Sequence, residues 1–226
     1  MRPARVVALV PAAGQGVRLG VGMPKAFVPL RGRPLLWHAV QALLAAGDVE
    51  QVVVAVGDEH RDRAGAALAD VAQRVQIVAG GAQRSDSVRR ALDTVPGAEV
   101  VLVHDAARCL TPVSVIRTVA EAVLAGQRAV VPVLPVIDTI KQVDSEGHVV
   151  STVDRSALRV VQTPQGFAAD LLRRSHQASG GPVTDDAGLV ERMGEIVTTV
   201  PGHPYAFKIT TPFDLLVAET IAGRVP

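Results

Sequence analysis

Val6-Val7-Ala8-Leu9-Val10-Pro11-Ala12-Ala13-Gly14-Gln15-Gly16-Val17-Arg18-Leu19-Gly20 is the stretch that decides the fold. Its first five residues are aliphatic with no polar alternation, the pattern of a strand buried on both faces of a helix-covered parallel sheet. The run then passes directly into small residues and glycines carrying Arg18, with Pro24-Lys25 just beyond. Small residues let backbone N–H groups close around an oxyanion, and the two cations add the charge a polyphosphate needs. Open α/β sheets bind ligands outside the carboxyl ends of their strands, so the loop stands in the right place. Two better-known phosphate loops are excluded. No Gly-Lys-Ser/Thr tripeptide occurs, which rules out a P-loop. Leu19 replaces the third glycine of a dinucleotide fingerprint, and the acidic residue expected about 20 positions on is missing.

Outward from this loop, similar aliphatic runs recur at Val52 to Val56, Val75 to Val78, Val100 to Val103 and Ala129 to Val133. Between the first two strands Leu35, Leu36, Ala39, Val40, Leu43 and Leu44 share one helical face, with Pro34 at entry and Gly47 past the end. Further helices are expected at Asp58 to Val71, Ser85 to Leu92 and Pro112 to Leu124. The β-α alternation predicts a mostly parallel sheet with helices on both faces. After Val133 the rhythm breaks: Pro132, Pro135 and the polar stretch Asp138 to Ser151 read as an inserted arm, spanning about residues 135–158. The pattern resumes at Val160 and Val161, with helices from Ala168 to Gln177, near Asp185 and from Pro212 to Ala222, and a strand from Ile196 to Val200. One domain over 1–226, with one excursion, is expected.

Composition narrows the partners. An apolar fraction of 48% in 226 residues supplies a real core. The 23 basic and 22 acidic residues leave a net charge of +1, so no long-range field favours nucleic acid or an anionic membrane. Aromatic residues make up 3%, too few to stack single-stranded bases. Mean hydropathy is +0.29, yet no apolar run approaches the roughly 20 residues a membrane helix needs. Arg2, Arg5 and Val6 to Val10 imitate a signal peptide only faintly and read as strand one. Cys109 is the single cysteine, which fits a small buried hydrophobe in a cytoplasmic protein.

Other segments carry possible chemistry. Gly80-Gly81-Ala82-Gln83-Arg84-Ser85-Asp86-Ser87 follows the third strand and puts free N–H groups near the sheet edge, with Ser85 as the expected helix cap. His104-Asp105-Ala106-Ala107-Arg108 follows the fourth strand. Asp105 there can bind hydroxyls or help hold Mg²⁺. His104 reads as strand-end packing, because no Ser or Cys nucleophile motif accompanies it. Asp138-Thr139-Ile140-Lys141, Asp154-Arg155, Thr163-Pro164-Gln165, Thr184-Asp185-Asp186 and Phe207-Lys208-Ile209-Thr210 come next.

Taken together and in this order, these segments resemble the 2-C-methyl-D-erythritol 4-phosphate cytidylyltransferase family. The Pro11 to Arg18 loop with Pro24-Lys25 is shared by several sugar nucleotidyltransferases. The segments around Asp105, Asp138, Thr163 and Thr184 narrow the match. The resemblance implies a Rossmann-like nucleotidyltransferase fold and a homodimer joined through the arm. It also implies cytidylyl transfer from CTP with Mg²⁺, giving a CDP-linked polyol and pyrophosphate. By that likeness Gly14, Gly16, Arg18 and Lys25 would serve the triphosphate, Pro11, Ala12, Ala13 and Asp105 would also bind the nucleotide, and Gly81 and Ser87 would lie near cytosine and ribose. Asp105, Arg108, Arg155, Thr163, Thr184 and Lys208 would handle the polyol phosphate or the α-phosphate, with Arg155 reaching the partner's site. Arg18, Lys25 and Lys208 would be catalytic and Asp105 a possible metal ligand. Ala82 and Cys109 depart from residues many relatives carry there. A cytidylyltransferase for another polyol phosphate, such as ribitol 5-phosphate, and a nucleotide-binding regulatory domain without turnover are the competing readings.

Overall fold

In the computed structural model, which describes residues 5–14, 22–178 and 183–223, the opening aliphatic run becomes strand β1 (Val6–Pro11). The short pair β2 (Pro29–Leu30) and β3 (Arg33–Pro34) leads into α1 (Leu35–Ala45) and β4 (Val49–Val56). There follow α2 (Arg61–Ala67), β5 (Val75–Ala79), α3 (Arg84–Asp93), β6 (Val100–Val103), α4 (Val113–Leu124) and β7 (Ala129–Pro135). The arm is the hairpin β8 (Ile140–Val143) and β9 (Val149–Val153). After it come β10 (Arg159–Val161), β11 (Gln165–Ala168), α5 (Ala169–Ala178), α6 (Ala187–Arg192), β12 (Thr198–Pro201) and α7 (Pro212–Ala222).

The main sheet runs β10-β7-β11-β6-β1-β4-β5, with β12 on β7. Pairs β1–β4, β1–β6, β4–β5 and β12–β7 are parallel, while β10 and β11 run against their neighbours. The sheet is therefore largely parallel and helix-covered. Period-two alternation explains the unbroken apolar strands. Val6, Ala8 and Val10 face α1 and α4 through Leu36, Val40, Ile116 and Val119. Val7 and Leu9 face α3 and α5 through Val88, Leu92, Leu171 and Leu172. A third cluster joins Val28, Leu30, Leu35, Cys109, Ile209 and Ala218. Burial pushes the Cys109 thiol up to about 12, as an inert packing group requires.

Two elements differ from expectation. The helix expected over Asp58 to Val71 is broken into a 3₁₀ turn, α2 and a second 3₁₀ segment, with Val71 at φ −126°. Gly65 within it weakens a long helix. Gln165 to Ala168 forms a strand where the sequence pattern signals none. Gly166 brings α4 close to that strand, since a Cβ there would stand 2.6 Å from Val119 Cγ1. Among the described residues no helix is long and apolar enough to cross a membrane.

Candidate active site

Strands β1, β5 and β6 direct their carboxyl ends to one edge of the sheet, and the chain winds outward to either side of β1. This is the topological crevice in which open α/β sheets place ligands. A cavity of about 270 Å³ lies there, lined by Pro11, Ala12, Ala13, Gly14, Lys25, Ala26, Gly81, Ala82, Gln83, Arg84, Ser87, Asp105, Ala106, Ala107 and Lys208. Each wall has a local cause. The β1 and β5 loops meet closely, because a Cβ on Gly80 would stand 2.5 Å from Ala13 Cβ and 3.2 Å from Val56 O. The Ser87 hydroxyl accepts from Gly81 N–H at 3.0 Å and donates to Gln83 O at 3.2 Å, bracing the second loop. Lys25 opens a 3₁₀ turn whose Ala26 and Phe27 are buried in the core. Lys208 is held in place by its neighbour Ile209, buried in the third cluster, whose N–H donates to Ala107 O at 2.9 Å.

The electrostatics centre on Asp105. Its Oδ2 accepts from Lys208 Nζ at 2.7 Å and its Oδ1 from Arg84 Nε at 3.3 Å. Burial alone would raise this carboxyl, but the charges of Arg84 and Lys208 outweigh it and hold it well below the usual carboxylate range. Arg84 Nη1 also donates to Asp186 Oδ2 at 2.6 Å. Burial opposes the charge on Arg84, and Asp186 and Asp105 more than restore it. Behind Asp105, Thr163 is buried and its hydroxyl accepts from Asp105 N–H at 3.0 Å, with His104 Nδ1 also at 3.0 Å. His104 has no exposed surface, and burial pushes its pKa down to about 4. It is neutral packing at neutral pH. Arg108 donates to Ala206 O at 2.7 Å and Val161 O at 3.2 Å, and burial lowers its pKa.

The expected site residues thus fall into groups. Pro11, Ala12, Ala13, Gly14, Lys25, Gly81, Ser87, Asp105 and Lys208 share the cavity. Thr163 and Arg108 stand behind it, supporting the Asp105 loop. Thr184 lies in a separate open depression with Val183, Gly188, Glu191 and Arg192. Arg155 lies in the arm segment, where its guanidinium donates to Ile137 O. Gly16 and Arg18 lie outside the described residues. The expected cap is corrected: α3 begins at Arg84, and Gln83, not Ser85, caps it in a reciprocal box with Asp86. Arg84 was missed as a site residue. Its signal was a cation three residues after a glycine pair, at the first position of a helix aimed at the same edge.

A metal would find one carboxylate here. Both oxygens of Asp105 already face cations, and among the described residues no group of three or more His, Cys, Asp or Glu could hold an ion. Among the described lining residues Asp105 is the one acidic side chain, so a cation there would take most of its oxygen ligands from elsewhere.

Comparison with known proteins supplies the family. The family model described as 2-C-methyl-D-erythritol 4-phosphate cytidylyltransferase matches residues 6–224. A protein of that name from Saccharopolyspora erythraea is 60% identical over 220 residues, covering 96% of this chain and 98% of its own length. One from Nocardia farcinica is 58% identical, covering 97% and 94%. The crystal structure of 2-C-methyl-D-erythritol 4-phosphate cytidylyltransferase from Thermus thermophilus superposes with a TM-score of 0.77 at 38% identity, covering 97% of this chain and 99% of that one. A family model that matches residues 6–224, and relatives 58–60% identical along nearly the whole chain, show that this protein belongs to the 2-C-methyl-D-erythritol 4-phosphate cytidylyltransferase family.

Proposed function

We infer that this chain transfers the cytidylyl group of CTP to 2-C-methyl-D-erythritol 4-phosphate, giving the CDP-linked polyol and pyrophosphate on the non-mevalonate route to isoprenoid precursors. The observation that carries the reading is the convergence of Lys25, Arg84 and Lys208 with Asp105 over the small-residue loop after β1. A substrate phosphate is already largely anionic near pH 7, its second pKa being about 6, so one of its oxygens attacks the α-phosphorus of CTP without a general base. The new P–O bond forms as the bond from the α-phosphorus to the β-phosphate bridging oxygen breaks, and that oxygen leaves with pyrophosphate. Negative charge gathers on the α-phosphoryl oxygens and the leaving group. Preorganised cations there lower the barrier more than they tighten ground-state binding. Neutral, buried His104 is not needed for proton transfer.

Mg²⁺ is part of this proposal; bound to the triphosphate it would neutralise phosphate charge, with Asp105, the one acidic side chain in the described cavity lining, as the residue that would hold it. A homodimer is also proposed. Its support is the hairpin arm, whose Val143, Val149 and Val150 are more than half exposed, and the position of Arg155 away from the cavity lining of its own subunit. A cytoplasmic location fits the single, buried cysteine. The test is pyrophosphate release from CTP with a panel of polyol phosphates. Turnover is expected with the methylerythritol phosphate; turnover only with ribitol 5-phosphate would move the assignment to another polyol, and none at all would leave a binding domain.

A further inference from the structure

Arg84 lines the cavity, and two residues that do not line it hold the other edge of that guanidinium. Asp186, at the amino-terminal cap of α6, is 1% exposed and receives Arg84 Nη1 at 2.6 Å on Oδ2. Its other oxygen, Oδ1, is 3.0 Å from Nε2 of His176, which is buried on α5. The result is one chain of contacts, His176–Asp186–Arg84–Asp105–Lys208, running from the packed interior to the cavity. The segment holding Asp186 is itself fastened to the sheet: Gln165 of β11 donates to Asp185 at 2.7 Å and accepts from Ala187 N–H at 3.1 Å.

On the reading of the site as a cytidylyl-transfer centre, we propose that Asp186 and His176 are positioning residues for its chemistry. His176 fixes the Asp186 carboxylate, and Asp186 holds the far edge of the Arg84 guanidinium. Arg84 thereby lies between two carboxylates instead of folding wholly onto Asp105, and the Asp105–Lys208 pair keeps its place in the cavity lining. A guanidinium shared by two carboxylates in fixed fork geometry is well suited to this task. A buried anion is tolerated only when paired and hydrogen-bonded, which makes a five-residue chain of such contacts without a role beyond packing a costly arrangement. Burial would raise the Asp186 carboxyl, but the hydrogen bond from His176 and the charge of Arg84 hold it below its ordinary value, so it stays an anion at neutral pH.

The test is a double-mutant cycle on the full-length enzyme, read as kcat and as KM for CTP and for the polyol phosphate. Asp186→Asn is expected to lower kcat by about 10²-fold with smaller changes in either KM, since misplacing a charge by about 1 Å can cost that much. In an Arg84→Ala background the same substitution should change kcat by less than about 2-fold, because the residue through which it acts is gone. His176→Gln, which keeps a donor near Nε2, should hold kcat within a few-fold of wild type, while His176→Leu should follow Asp186→Asn. An equal kcat loss from Asp186→Asn in both backgrounds, or equal effects of the two His176 substitutions, would overturn the proposal. If Asp186→Asn does not fold, His176→Leu and Arg84→Ala form the cycle with the same criteria. Wild-type enzyme inactive with CTP and every polyol phosphate would instead remove the functional reading on which the inference rests.

Discussion

Lys25 and His104 represent two ways in which one residue acts at this site. Lys25 lines the cavity on a turn whose neighbours are buried, so its ammonium is presented by a rigid support. Lys25→Ala is expected to reduce kcat by roughly 10²-fold or more, the scale of losing one preorganised donor. A raised KM for CTP at unchanged kcat would assign Lys25 to uniform binding. His104 acts on stability instead. The folded chain holds it neutral, with its pKa pushed down to about 4 chiefly by burial, whereas the unfolded chain protonates near the ordinary value of about 6.5. Between those values the unfolded state binds more protons. Its stabilising neutrality is complete above about pH 6.5 and is lost as pH falls toward 4, by about 3 kcal/mol in total. The depressed Asp105 carboxyl adds a loss of the same sign below about pH 5. Urea denaturation across this range should therefore show a shallower slope for His104→Gln than for wild type, and the difference isolates the imidazole. Equal slopes would assign the acid sensitivity to the carboxylates.

At the scale of elements, the cavity depends on the close meeting of the loops after β1 and β5. Gly80→Ala places a methyl group against Ala13, and overpacking of about 1–3 kcal/mol at that contact should weaken CTP binding by about tenfold. Calorimetric titration of CTP checks it, and an unchanged affinity would mean that the loops separate freely. These two loops were legible in the sequence because strand, glycines and cations are contiguous there. So were the central strands, whose two buried faces leave unbroken aliphatic runs. What could not be read has a common cause in long-range contact. Gln165 to Ala168 carries no strand pattern by itself and becomes a strand by fitting between β6 and β7. The Thr163 hydroxyl meets the Asp105 backbone 58 positions away in sequence, a pairing that no local pattern announces. Arg84 meets Asp186 across 102 positions, and no local spacing announces that pair. The polar arm was recognisable as an interruption, while its hairpin pairing emerges only from the register of Ile140 with Val153.

At the scale of the whole molecule, the arm raises the question of how many chains make one site. Val149 and Val150 are each 61% exposed on a hairpin that lies apart from the main sheet, and apolar strands left open in this way are apt to be covered by a partner. Deleting residues 138–151 is expected to yield monomers that have lost turnover; sedimentation of an intact, active dimer after deletion would reject the arm as the joint. Arg155 makes the sharper test. Its guanidinium is suited to bidentate phosphate recognition, and in its own subunit it donates to Ile137 O within the arm segment instead of lining the cavity. If it binds the substrate phosphate of the neighbouring subunit, Arg155→Ala should raise KM for the polyol phosphate and leave CTP binding nearly intact. Mixing Arg155→Ala chains with Lys25→Ala chains then separates the two geometries. With the contact in trans, a mixed dimer has one site lacking both groups and one lacking neither. Random exchange makes half the dimers mixed, so activity should return to roughly a quarter of wild type in a twofold assembly. With the contact in cis every site keeps one lesion, mixing restores nothing, and each subunit would have to complete its own active site.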